Sequence, residues 1–74
     1  YNCNIIKDLR KQVPSITPLE LSYIIYTQIG FSHAVIEEFL QVNTKKIYNL
    51  NSRLKQKILK SNAPDAERFM KSLF

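Results

Sequence analysis

The sequence predicts an all-α domain, a small bundle of about five helices with no sheet. Three observations predict it. Apolar residues recur at helical spacing along most of the chain. No run alternates with period two between turn residues. The 74 residues include one glycine and three prolines, too few breakers for many short strands. No internal repeat or low-complexity tract is visible. A chain of this length makes one small domain with a modest core and little stability to spare.

The first helix is expected over residues 3–12, where Ile5, Ile6 and Leu9 share a face and Lys7, Asp8, Arg10 and Lys11 lie outside it. Pro14 ends it, because the residue before a proline avoids helical angles. The second begins at Thr17-Pro18-Leu19-Glu20. Thr17 can cap, Pro18 suits the first helical position, and Glu20 can reach back to the Thr17 amide, a capping box. It runs to about Ile29, and Gly30 supplies the left-handed exit. Leu21, Tyr23, Ile24, Ile25, Tyr26 and Ile29 wrap almost the whole cylinder. A helix apolar all round is central or sits in an interface, and the apolar face of the first helix favours the central place.

The third helix is expected from Ser32, as N-cap, to about Leu40, with Val35, Ile36, Phe39 and Leu40 as its buried stripe and Glu37 and Glu38 facing out. Asn43 or Thr44 can cap the fourth, over residues 44–60. There Ile47, Leu50, Leu54 and Ile58 form one narrow core stripe, opposite Lys45, Tyr48, Asn49, Ser52, Arg53 and Gln56. The stretch Ser61-Asn62-Ala63-Pro64-Asp65 breaks the chain before a last short helix from Ala66 to Leu73, apolar at Phe69, Met70 and Leu73. Three parts result: a lead-in helix in residues 1–15, a helix-turn-helix core in 16–60, and a C-terminal helix in 61–74.

Charge narrows the function. The net charge is +5 and the isoelectric point lies near 9.6, which favours an anionic partner such as nucleic acid or a membrane surface. From Asn43 to Lys60 there are six cations (Lys45, Lys46, Arg53, Lys55, Lys57, Lys60) and no acid. The major groove admits one α-helix, and a reader needs an apolar back and a polar front. Asparagine pairs with adenine, serine bonds several bases, and lysine or arginine takes guanine or phosphate. Asn49 and Ser52 lie three apart on the front with Tyr48 beside them; Lys45 and Lys46 stand at the helix start, where free amides also favour phosphate. Arg53, Lys55 and Lys57 flank the front.

Catalysis finds no such support. Cys3 is the sole cysteine and reads as an ordinary thiol, with no disulfide framework and no metal set. Its pairing with the sole histidine, His33, lacks an orienting group or oxyanion loop. Glu37 and Glu38 are adjacent, so on a helix they diverge. No enzyme, cofactor or small-molecule substrate is expected. No apolar run is long enough to span a bilayer and no signal peptide is visible, so a soluble, cytoplasmic piece is expected. The start at Tyr1 rather than Met reads as an excision from something longer.

Residues 16–58 resemble the LuxR/GerE-type helix-turn-helix output domain of bacterial transcription regulators. That family's Leu-Thr-x-x-Glu opening is matched by Ile16-Thr17-Pro18-Leu19-Glu20, and its Gly-x-Ser by Gly30-Phe31-Ser32. Its Ile-Ala-x-x-Leu scaffold helix corresponds to Ile36-Glu37-Glu38-Phe39-Leu40. Its Ser-x-x-Thr-Val recognition start corresponds to Asn43-Thr44-Lys45-Lys46-Ile47, and its closing Ile-x-x-Lys-Leu to Leu54-Lys55-Gln56-Lys57-Ile58. The run Ile47-Tyr48-Asn49 and the lead-in before Ile16 look like a subgroup on Bacteroidetes regulators. The resemblance implies a winged-helix-like core without the sheet, double-stranded DNA as partner, a homodimer on a two-part site, and an upstream sensor portion in a longer, sometimes membrane-anchored, chain. It puts Tyr48, Asn49 and Ser52 toward the groove, and Lys45, Lys46 and Lys57 near phosphate. It makes Phe69, Met70 and Leu73 the dimer element. Lys46 replaces the family's Thr, Tyr48 its Lys, Leu50 its His and Glu37 its Ala, so the family's usual target does not transfer. Two other readings stay open: an interaction or oligomerisation module that keeps the fold without DNA binding, and a domain like region four of sigma factors.

Overall fold

The computed structural model describes residues 3–74, and for Cys3 and Asn4 the backbone alone, so the thiol reading of Cys3 lies outside the described side chains. Five helices follow in order: α1 (Cys3–Gln12), α2 (Pro18–Ile29), α3 (His33–Leu40), α4 (Thr44–Lys60) and α5 (Ala66–Leu73). Among the described residues there is no strand. The all-α expectation holds, and the helix limits fall where caps and breakers put them. Among the described residues no helix is long and apolar enough to cross a membrane.

The local chemistry sets these limits. The Glu20 amide donates to the Thr17 hydroxyl at 3.2 Å, and the Thr17 amide donates to Glu20 Oε1 at 2.9 Å, completing the capping box at the start of α2. Gly30 ends α2 at φ 104°, a left-handed angle that a side chain adopts only under strain. Its amide donates to the Thr27 carbonyl and the Phe31 amide to the Tyr26 carbonyl, a Schellman closure. Tyr26 and Phe31 also touch, with ring centroids 5.8 Å apart, the apolar contact that usually accompanies this closure. The end of α3 repeats the pattern, with Gln41 at φ 54°. Its amide donates to the Glu38 carbonyl and the Val42 amide to the Glu37 carbonyl. Ser32 and Asn43 cap α3 and α4 by accepting from the amides of Val35 and Lys46 at 3.3 and 2.8 Å.

α2 is central, packing against α3, α4 and α5. The core gathers Ile5, Ile6, Leu9 and Val13 from the α1 region, Tyr23 and Ile24 from α2, and Ile36 from α3. Ile47, Leu50, Leu54 and Ile58 of α4, then Phe69 and Leu73 of α5, complete it. α1 is tied to the start of α5 by a reciprocal pair: the Gln12 amide group donates to Asp65 Oδ2 at 2.9 Å and accepts from the Asp65 backbone amide at 3.0 Å. Arg68 adds a bond to Asp8 at 3.0 Å.

Two packing expectations need correction. The buried stripe of α3 is Ile36 alone, with Leu40 half-buried; Val35 and Phe39 face solvent. α3 packs against α2 and α4, and of its apolar side chains only Ile36 points fully between them. Ile29, at the far end of α2, is also exposed. The wrap of apolar residues around α2 is therefore buried on one side, half-buried along Leu21, Ile25 and Tyr26, and open at its C-terminal end.

Candidate nucleic-acid interface

α4 is mounted by its back. Ile47, Leu50, Leu54 and Ile58 are at most 2 % exposed, and a helix turns 100° per residue, so the side opposite this stripe must face water. There lie Lys45, Tyr48, Asn49, Ser52, Arg53 and Gln56, all exposed, as expected. A short connection, 41–43, joins α3 to α4. The Thr44 hydroxyl donates to Glu37 Oε1 at 2.7 Å, pinning the start of α4 to α3. The front of α4, a helix of 17 residues, is thus a rigid and mostly polar surface with exposed Leu59 as its apolar exception, and the major groove admits a single helix of this kind.

The flanks divide. On one side Arg53, Gln56, Lys57 and Lys60 line an open cleft of about 350 Å³ with Ser15 and Ser61. Lys60 is exposed; in the sequence it counts as one of the six cations without a contact role, because a last-turn lysine carries no motif, and its neighbour Arg53 marks it as part of a basic edge. On the other side Tyr48 meets the His33 ring edge-on, centroids 6.5 Å apart, so the start of α3 and the middle of α4 form one continuous edge. Lys55 is half-buried with its ammonium 5.4 Å from the Phe74 ring centre, a cation–π contact that holds it near α5. Lys46 is half-buried beside the core stripe.

Lys57 corrects the expectation most plainly. Its ammonium is bonded to Glu20 Oε1 and donates to the Ser15 carbonyl at 2.9 Å. A lysine that neutralises a carboxylate 2 % exposed is not free to meet phosphate without leaving a buried charge alone. Burial is the largest influence on Glu20 and opposes its charge. Hydrogen bonds from Lys57 and Thr17, with the Lys57 charge, outweigh it and hold the carboxyl below its usual range. The sequence does hint at this: Lys57 stands three residues after Leu54 and seven after Leu50, on the core edge of α4. Its partner, 37 positions away, carries no local signal.

The dimer element is corrected as well. Phe69 and Leu73 are buried in the chain's own core, 0 % and 6 % exposed, and Met70 is half-buried against it. Phe69 and Leu73 close the bundle over α4 and α2 rather than face outward, and Met70 keeps part of its surface in water.

Comparison with protein-family models, with curated proteins and with solved structures finds no match to this chain.

Among the described residues no three side chains of His, Cys, Asp or Glu gather as a metal set. What the α4 front can do chemically is present amide, hydroxyl and phenol groups, with Lys45 at the helix start and one exposed cationic flank from Arg53 and Lys60.

Proposed function

We propose that this domain binds double-stranded DNA with α4 in the major groove, as the output part of a transcription regulator. The observation that carries the reading is the α4 front: an acid-free polar face, fixed by an apolar back and bordered by exposed cations. Asn49, Ser52 and Tyr48 are assigned to base edges, Asn49 by its capacity for a bidentate pair with adenine. Lys45, Arg53 and Lys60 are assigned to phosphate, with Lys46 and Lys55 in second place because each is half-buried. Lys57 is left out of the contact set. Two copies on a two-part site stay in the proposal by resemblance, with Phe69 and Leu73 taking no part in joining them. A DNA partner puts the site of action in the cytoplasm.

The test is fluorescence anisotropy of a labelled mixed-sequence duplex, at low salt and then near physiological salt. Binding in the micromolar range that collapses as salt rises is expected, since released counterions drive it. No binding at low salt overturns the reading and leaves the interaction module.

A further inference from the structure

The exposed apolar residues are not scattered. Of the seven large hydrophobics exposed among the described residues, four fall between Ile29 and Phe39: Ile29 49 %, Phe31 37 %, Val35 36 % and Phe39 59 %. Tyr26, Phe31 and Phe39 stack mutually, with centroids 5.5 to 5.8 Å apart. The contact of Tyr26 with Phe31 belongs to the α2 closure. Phe39 has no such task; its ring lies on the other two and offers most of its surface to water. A contiguous apolar patch of this kind marks an interaction surface.

Its surroundings select the occupant. No Lys or Arg occurs between Gln12 and Thr44, and that stretch holds three acids, Glu20, Glu37 and Glu38. Glu20 is paired to Lys57 and Glu37 accepts from Thr44. Glu38 is exposed and makes no side-chain bond among the described residues; it sits one turn after Val35 and next to Phe39, on the patch rim. A nucleic acid would find rings to stack on but no cation on α2 or α3 themselves for its phosphates, and single-strand readers need both. A two-fold contact would seat the same Lys- and Arg-free surface of a second copy on this one, leaving Glu38 without a cation. A foreign segment with apolar anchors and a cation for Glu38 meets neither obstacle.

We infer that the α2–α3 face docks a basic amphipathic segment of another protein, its apolar side on Phe39, Phe31, Val35 and Ile29 and a Lys or Arg on Glu38. The patch residues belong to α2, the α2–α3 turn and α3, none of them to α4, so the proposal stands whether or not the domain binds DNA.

The test pans a displayed library of random twelve-residue peptides against the immobilised domain, then measures binding of the enriched peptides, synthesised, to wild type, Phe39→Ser and Glu38→Lys. Both positions are exposed, and unchanged helicity and urea midpoint certify the variants' fold. Enriched peptides are expected to combine apolar anchors with Lys or Arg. Their affinity should fall at least about tenfold on Phe39→Ser, the scale of losing a central anchor, and should weaken on Glu38→Lys. Absence of enrichment, acidic or cation-free binders, or binding indifferent to Phe39→Ser overturns the proposal. Self-association of the wild type in sedimentation velocity, abolished by Phe39→Ser, also overturns it and assigns the face to a second copy.

Discussion

The outer face of α4 and the face shared by the end of α2 and α3 are both exposed, yet they are chemical opposites. Five of the six cations of α4 have no acid partner among the described side chains, while the whole stretch from α2 through α3 has no Lys or Arg. The α4 face is polar because a narrow apolar stripe is enough to fix a long helix, leaving the rest of its surface free to carry charge. The α2–α3 face is apolar although the same bundle had no room to bury it. Among the α4 cations only Lys57 crosses to α2, turning inward to Glu20 near its start. The difference teaches that a cation on a basic helix has a role set by its angle to the core, not by its membership of a charge run.

Breaking the crossing point has the largest expected effect. Lys57→Met keeps the stem but leaves Glu20 charged and nearly buried, and should cost about 3 kcal/mol, read as a lower urea midpoint. That is a large share of a small domain's stability. The double variant with Glu20→Gln keeps a capping-box residue and removes the stranded charge, so it should recover most of the loss. If Lys57→Met instead left stability intact and weakened duplex binding, Lys57 would belong to the DNA face after all.

The same pair makes a pH prediction. Glu20 has its carboxyl held below the usual 4.5 in the folded chain, so the folded state binds that proton less readily than the unfolded chain. Its contribution is present in full above 4.5 and is lost as pH falls below that, through the lower folded value. Urea midpoints followed from pH 7 down to 3 should drop more steeply for the wild type than for Glu20→Gln. Parallel curves would mean the pair contributes nothing to acid sensitivity.

These tests bear on what the sequence could and could not disclose. Every helix was legible, because most limits carry a local signal: Thr17 with Glu20, Gly30, Ser32, Asn43, Pro64; the end of α3 on Gln41 carries none. The α4 front was legible for the same reason, since a clean apolar stripe dictates which residues face away. Lys57 was misread, because a pairing across 37 positions depends on how α2 lies over α4. Phe69 and Leu73 were misread as an interface, since burial against the same chain and burial against a second copy give one and the same pattern. The exposure of Phe39 and Val35 was missed for the converse reason: an apolar stripe on a short helix looks like core whether or not the bundle covers it.

On the α4 face the expected effects divide by type. Lys45→Ala with Lys46→Ala should weaken duplex binding alike on all sequences and flatten the dependence of log affinity on log salt by up to about 1.8, two phosphate contacts' worth. A smaller change assigns Lys46, half-buried, to the core edge alone. Asn49→Ala should lose about 1–3 kcal/mol on the preferred sequence and little elsewhere. An equal loss on every duplex would make Asn49 a backbone contact.

The smallest effect comes from the turn that joins the two regions, and it has the opposite sign. Gln41 ends α3 at φ 54°, in the left-handed region that costs an ordinary side chain about 1–2 kcal/mol. Gln41 is exposed, so its side chain has no burial to lose. Glycine removes the steric cost but gives the unfolded chain more freedom, which takes back part of the gain. Gln41→Gly should therefore raise stability by about 0.5–1 kcal/mol, with duplex binding unchanged because α4 keeps its cap on Asn43. A loss of stability would show that Gln41 holds the turn by something other than its backbone. If stability rose while DNA affinity fell, the strained turn would be setting the angle at which α3 presents α4, and the two faces would be coupled through it.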